Sequence, residues 1–243
     1  MIAALPMYDH PRQQAANDAF WAAVRDRLRD AGIPTPEALH RDGDIRSQWL
    51  RPDLLLGQTC CLPFRRLLHD KVHYVASADY GLPNVKGGFY RSVIIARAND
   101  TRTAPRDFAT ATLAYNSNDS QSGWAAAFDW ARQNSVLLDP ALETGGHRAS
   151  ALAVAQGNAD LASIDAVTFR TLQQFEPFTE NLRIIAHTDI TPGLPFITAL
   201  ANDPALIRVA MLSALNGLDV STRATLGIAG FADIGLHVLL NGA

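Results

Sequence analysis

Residues 144–169, TGGHRASALAVAQGNADLASIDAVTF, combine two turns, a helix and a strand in one short stretch. Gly145 and Gly146 allow backbone conformations that a residue with a Cβ resists, and helical spacing begins directly after them. Gly157 supplies a helix stop, and the apolar run at 161–164 is suited to a strand buried on both faces. The stretch therefore predicts an α/β fold built around a parallel sheet.

His147 and Asp165 stand at the two ends of this predicted helix and strand. Parallel βαβ connectivity brings helix starts and strand ends to the carboxyl edge of a sheet, where ligands bind in open α/β folds. We therefore expect Gly146, His147 and Asp165 to face one cleft. Each side chain also has a purely structural alternative: His147 as a hydrogen-bonding residue, and Asp165 as the N-cap of the next helix.

A second stretch, NSNDSQSG at 116–123, is dense in hydroxyl and amide groups and precedes a segment with helical spacing. Its side-chain oxygens are suited to cap that helix. The same helix N-terminus presents backbone N–H groups and the positive end of a dipole to an oxyanion. We expect Ser120, Ser122 and Gly123 to lie at this helix start.

Other candidate positions follow or lie on further predicted strands. Tyr8 ends the first strand, and Thr59 and Cys60 follow a buried strand just before a helix, so that backbone amides there could point at an anion. Tyr90 lies near the start of the run FYRSVIIA, and Phe196 lies in a later strand. The three aromatic residues are candidates either for lining the cleft or for the core.

The chain resembles the solute-binding proteins of phosphonate, phosphite and phosphate ABC transporters, the PhnD-like branch of the type 2 periplasmic-binding-protein fold. The resemblance is carried by Gly146, His147, Gly157, Asp160 and Asp165, in that order. It implies a Ser-rich loop gripping the phosphonate group, which assigns ligand contacts to the loop positions named above. It also implies an ABC permease as partner and a periplasmic location.

Composition excludes several classes of function. The chain has 243 residues, 48% of them hydrophobic and 19% charged, and a net charge of -3, which argues against a general affinity for nucleic acid. No window suits a membrane span, and the start MIAALPMYDH lacks the pattern of a secretory signal, so a cytoplasmic location stays open. The sequence shows no metal-ligand pattern, cofactor fingerprint or catalytic motif.

We therefore predict two α/β lobes of the type 2 periplasmic-binding-protein kind, joined by two crossing strands. Residues 1–95 and 190–243 form the first lobe and 96–189 the second, because polar, Pro-containing segments lie near both boundaries. The predicted function is binding of a small oxyanion in the interlobe cleft, with Asp165 as acceptor for a cationic or hydroxyl tail. The alternatives are an enzyme acting on a small acid and a ligand-sensing module. A weak strand is predicted at 37–40, and 224–240 is left unassigned.

Overall fold

A computed structural model describes residues 1–241. In chain order its strands are β1 (Ile2–Ala4), β2 (Leu54–Gln58), β3 (Val72–Asp79), β4 (Phe89–Tyr90), β5 (Ser92–Arg97), β6 (Thr112–Tyr115), β7 (Asp139–Glu143), β8 (Leu161–Asp165), β9 (Leu182–His187), β10 (Thr191–Pro192), β11 (Pro195–Ala199) and β12 (Gly230–Ala232). Its α-helices are α1 (Gln14–Asp30), α2 (Ile45–Trp49), α3 (Cys61–Pro63), α4 (Ala126–Gln133), α5 (His147–Ala155), α6 (Ala166–Phe175), α7 (Pro204–Gly217), α8 (Val220–Leu226) and α9 (Leu236–Asn241). Short 3-10 turns occupy Pro6–Tyr8, Pro105–Phe108 and Pro177–Asn181, and π turns occupy Phe64–Leu68 and Gln121–Ala125.

The chain forms two compact units, each with its own five-stranded sheet. The first unit consists of Met1–Phe89 and the described residues from Pro192 onward, and the second of Tyr90–Thr191. The strand order is β1-β2-β11-β3-β12 in the first sheet and β7-β6-β8-β5-β9 in the second. A short pairing of β4 with β10 lies where the chain passes between units. Tyr90 is consequently the first residue of the second unit, although the sequence analysis assigned it to the first.

The first unit is a mixed sheet covered by helices. Strands β1 and β2 are parallel, while β11 runs antiparallel to both β2 and β3. Helix α1 buries Phe20, Val24 and Leu28, whose spacing of four residues forms one apolar stripe, and this helix packs against α7. The mixed order arises because β11 lies between β2 and β3, two strands that come much earlier in the sequence.

The second unit has a sheet that is covered on both faces. Strands β6, β7 and β8 are parallel, and β5 is antiparallel to β8. On β8, Ala162 and Ile164 belong to the core under α5 and α6, whereas Leu161 belongs to the core under α4. Because successive side chains of a strand point to opposite faces, Ser163 lies on the α4 side with Leu161. This alternation directs a hydroxyl toward the start of the helix that leads into α4.

Two local predictions were tested directly by the fold. Helix α7 begins at Pro204 after Asp203, whose carboxylate accepts from the amides of Ala205 and Leu206, as its sequence signals indicated. The strand predicted at 37–40 is wrong, because that segment is irregular and is held by single contacts such as His40 N to Ala3 O at 2.7 Å.

Candidate anion-binding site

Two loops and one strand end of the second unit meet at one edge of its sheet. The parallel strands β6, β7 and β8 end there; β6 and β7 are each followed by a loop and a helix start, and β8 runs directly into α6. The loop after β6 carries Ser120 and Ser122, the loop after β7 leads to His147, and β8 itself ends in Asp165. The backbone ties the first two loops together, because Gly145 N donates to the Asn116 carbonyl oxygen at 3.0 Å.

The helix after β6 begins with a hydroxyl cap. Ser120 is the N-cap residue, and its Oγ accepts a hydrogen bond from Gly123 N at 3.0 Å. The first turn has π geometry, with Ala125 N donating to the Ser120 carbonyl oxygen, and the helix continues directly into α4. First-turn amides have no intrahelical acceptors, so this end of the helix carries partial positive charge. A neutral hydroxyl cap leaves that charge in place.

Ser122 is held from two strands and paired with His147. Its carbonyl oxygen accepts from Ser163 Oγ at 2.6 Å and from Ser92 Oγ at 3.2 Å. Its own hydroxyl lies 2.7 Å from His147 Nε2 and 3.4 Å from Ser120 Oγ. Ser122 is only 5% exposed. Its hydroxyl is therefore fixed in place rather than free to rotate into water.

His147 is neutral at physiological pH, because burial lowers its pKa to about 4. Its Nδ1 atom is enclosed and has no hydrogen-bond partner among the described residues, and the same holds for Asn116 Oδ1. A buried polar atom without a partner costs about 1–3 kcal/mol. A buried polar atom with no partner in the protein calls for another partner, such as a water molecule or a bound ion.

Gly123 brings these two side chains together by lacking its own. A Cβ on Gly123 would lie 1.9 Å from Asn116 Oδ1 and 3.3 Å from His147 Cε1. No side chain fits there unless Asn116 moves. The Gly123 N–H group already donates to Ser120 Oγ. Gly123 therefore contributes to the site by letting Asn116 and His147 approach its Cα, and not through its N–H group.

Asp165 is engaged at the start of α6. Its Oδ1 accepts from Val167 N at 2.7 Å and from Thr168 N at 3.1 Å, and the residue is 2% exposed. The carboxylate therefore caps α6, which was its structural alternative in the sequence. It lies at the same sheet edge as His147, in accordance with the parallel order of β7, β6 and β8.

The candidate residues of the first unit follow strands or lie in its core. Tyr8 does not end the first strand as predicted, because β1 stops at Ala4 and Tyr8 belongs to the 3-10 turn Pro6–Tyr8. The Tyr8 ring contacts Tyr80 edge to face, with centroids 4.7 Å apart. Thr59 is fully buried, and Cys60 occupies the N-cap position of the short helix α3. Phe196 is 2% exposed and packs on Phe231 within the sheet. Tyr90 of the second unit is likewise buried.

Sequence reasoning missed Asn116, Ser92 and Ser163. Asn116 was visible as the first residue after a strand, at the edge where ligands bind in α/β sheets. The two serines act through the Ser122 carbonyl oxygen, from positions 30 and 41 residues away in sequence. No local pattern signals such contacts.

Comparison with known families identifies the fold and the class of protein. The family described as "ABC transporter, phosphonate, periplasmic substrate-binding protein" matches residues 67–235, which is well over half of the chain. The chain belongs to this phosphonate-binding protein family. The family resemblance drawn from the sequence is thereby confirmed, and the members of the family are substrate-binding proteins. A search of curated proteins finds no match.

Solved structures similar to this family member share its fold at low sequence identity. PhnD1 from Prochlorococcus marinus in complex with methylphosphonate is 14% identical, with a TM-score of 0.78 over 99% of this chain and 94% of PhnD1. XAC2383 from Xanthomonas citri bound to chloride is 18% identical, with a TM-score of 0.73 over 98% of this chain and 94% of that one. A binding protein of an ABC phosphonate transporter from Pseudomonas aeruginosa is 16% identical, with a TM-score of 0.70 over 95% and 80%. The fold is that of the type 2 periplasmic binding proteins, as predicted.

Two features are absent from residues 1–241 of this phosphonate-binding family member. In that range no group of three or more His, Cys, Asp or Glu side chains is placed to hold a metal ion. Over the same residues, no helix combines the length and apolar character needed to cross a membrane.

Proposed function

We propose that the protein binds a small phosphonate- or phosphate-like oxyanion at the helix start formed by Ser120 and Ser122, with His147 as a third contact. The observation that carries the proposal is the Ser122–His147 pair at 2.7 Å, whose outer nitrogen is enclosed without a partner beside the positive end of a helix. Membership of the phosphonate-binding family supports the same ligand class.

The donors at this position suit recognition better than chemistry. Hydroxyl groups and a neutral imidazole offer hydrogen bonds of fixed direction to an oxyanion, and the helix dipole supplies the favourable charge. Within residues 1–241, the imidazole Nδ1 has no carboxylate partner of the kind that orients the histidine of a catalytic triad. We infer a binding protein whose role is to present its ligand to an ABC permease, and a periplasmic place of action.

Titration calorimetry with methylphosphonate, phosphate and acetate tests the proposal. We expect the two phosphorus oxyanions to bind and acetate to bind weakly. Replacing both Ser120 and Ser122 by alanine should weaken oxyanion binding at least about tenfold, because a hydrogen bond to a charged group contributes roughly 1.5–3 kcal/mol. Ser47→Ala, at an exposed position in α2, is the matched control.

Unchanged affinity in the double variant would reject the assignment of the site. Phosphorus NMR of the ligand after long incubation separates binding from catalysis. We expect the spectrum of methylphosphonate to remain unchanged, and the appearance of a product would support the enzyme alternative instead.

A further inference from the structure

Two enclosed atoms beside the proposed oxyanion site set conditions on the ligand. An amide oxygen only accepts hydrogen bonds, and Asn116 Oδ1 has no donor among the described residues. A fully deprotonated oxyanion presents only acceptors. Placed against Asn116 Oδ1, it would leave that oxygen unmatched and add repulsion, whereas a ligand with a hydroxyl group would match it.

The imidazole of His147 leads to the same condition in either tautomer. If Ser122 donates to Nε2, the proton of His147 is on Nδ1, and Asn116 Oδ1 remains the acceptor that needs a donor. If instead Nε2 donates to Ser122 Oγ, then Nδ1 is a second bare acceptor. In both arrangements at least one enclosed acceptor requires a hydrogen-bond donor from the ligand.

Resting on the proposed function, we propose that the site selects oxyanions that retain an acidic proton, with the P–OH group donating to Asn116 Oδ1. The remaining oxygens of such a singly charged ligand accept from the Ser120 and Ser122 hydroxyls or from His147 Nδ1. Gly123 permits this arrangement, because a Cβ there would lie 1.9 Å from the Asn116 oxygen. Phosphonates and phosphate meet the requirement near neutral pH, and sulfonates and sulfate do not.

The charged groups around these two side chains do not supply the missing donor. Asp119 bonds to Ser117 within the same loop, and Asp165 caps α6. Arg148, the residue after His147, is paired with Glu176 at 2.6 Å. Glu143 ends β7 on the same edge.

Methylphosphonate and methanesulfonate at pH 6 form a matched pair for the test. Both are tetrahedral, carry one methyl group and hold mainly a single negative charge, but only methylphosphonate retains a proton on oxygen. Calorimetry on the wild-type protein should give methylphosphonate an affinity at least about a hundredfold higher, since sites built around a ligand hydroxyl reject analogues that lack it. Affinities within about threefold of each other would overturn the inference while leaving oxyanion binding intact.

A variant tests the residue itself. Asn116→Ala keeps the backbone carbonyl that accepts from Gly145 N, and should reduce the methylphosphonate preference at least about tenfold. Asn118→Ala, at an exposed position of the same loop, should leave the preference unchanged. Equal losses for both ligands in Asn116→Ala would show that Asn116 only positions the loop, and would overturn its role as selector. Failure of methylphosphonate, phosphate and methanesulfonate alike to bind would reject the proposed function, and this inference with it.

Discussion

Two helices begin at the same edge of the second unit's sheet, and they are capped in opposite ways. The helix that leads into α4 is capped by the Ser120 hydroxyl, while α6 is capped by the Asp165 carboxylate. Both N-cap residues are buried, at 4% and 2% exposure. Exposure therefore does not distinguish the two helix starts, and the charge of the cap does.

The difference indicates which helix start is available to an anion. At α6 a full negative charge already occupies the positive end of the helix, bonded to the amides of Val167 and Thr168. At the other start the cap is neutral, and Asn116 Oδ1 and His147 Cε1 lie against Gly123. A helix N-terminus whose cap is neutral keeps its attraction for an anion from outside the helix.

The largest expected effect comes from making the two caps alike. Ser120→Asp places a carboxylate at the start of the α4-side helix, where it should cap as well as serine does. Two like charges about 4 Å apart repel by about 4 kcal/mol at an effective dielectric constant of about 20. Calorimetry should therefore show methylphosphonate binding weakened at least about a hundredfold, with the unfolding midpoint in urea little changed.

Ser120→Asn is the control for this exchange, because it is isosteric with aspartate and is an equally good N-cap without the charge. It should retain most of the affinity. If the asparagine and aspartate variants lose affinity to the same extent, then size rather than charge governs this helix start and the comparison fails.

A smaller effect is expected in the pH dependence of the free energy of unfolding, through His147 beside the α4-side helix start. His147 has a pKa of about 4 in the folded chain, lowered by burial from its ordinary value near 6.5. Its contribution to stability is complete above pH 6.5 and declines as pH falls toward 4, because the unfolded chain takes up the proton first. Between pH 7 and pH 5 the free energy of unfolding should fall by about 2 kcal/mol in urea titrations.

His147→Gln should remove most of that decline. His187, exposed at the end of β9, also has a lowered pKa, through desolvation and the nearby charge of Arg91, and therefore acts in the same direction. His187→Gln is the matched control and should leave the larger part of the decline in place. A decline that follows His187 instead would show that His147 titrates normally.

Local sequence signals predicted the elements that carry the site. The helix α5 after the Gly-Gly turn and the strand β8 ending in Asp165 follow from residues that are adjacent in sequence. The start of α7 at Asp203-Pro204 follows for the same reason. In each case the turn and capping residues determine the start or end of an element only a few residues away, so one short stretch of sequence is enough to predict it.

Nonlocal elements were not predicted. Strand β7, DPALE, is mostly exposed and joins the sheet edge through backbone pairing with β6, so it has no apolar pattern to reveal it. The C-terminal α8, β12 and α9 were likewise unassigned, because β12 is formed by pairing with the distant β3. The contact of Ser163 with the Ser122 carbonyl oxygen is another product of packing, and only the structure discloses it.

The smallest expected effect concerns Asp165, whose role as a ligand selector remains a prediction from the sequence. Because its Oδ1 accepts from two amides of α6, we expect Asp165→Ala to lower the free energy of unfolding by about 1 kcal/mol, as for other lost N-caps. Asp165→Asn preserves the cap and should change the free energy of unfolding by only a few tenths of a kcal/mol.

Calorimetry with methylphosphonate and 2-aminoethylphosphonate then separates the role of Asp165 as a helix cap from a role as a ligand selector. A desolvated pair between Asp165 and the ligand amine would make the asparagine variant lose about 2–5 kcal/mol for the amine-bearing ligand alone. We expect the affinity losses of the two ligands in Asp165→Asn to agree within about threefold, because the carboxylate already accepts hydrogen bonds from the amides of α6. A loss confined to the amine-bearing ligand would show instead that Asp165 contacts the ligand.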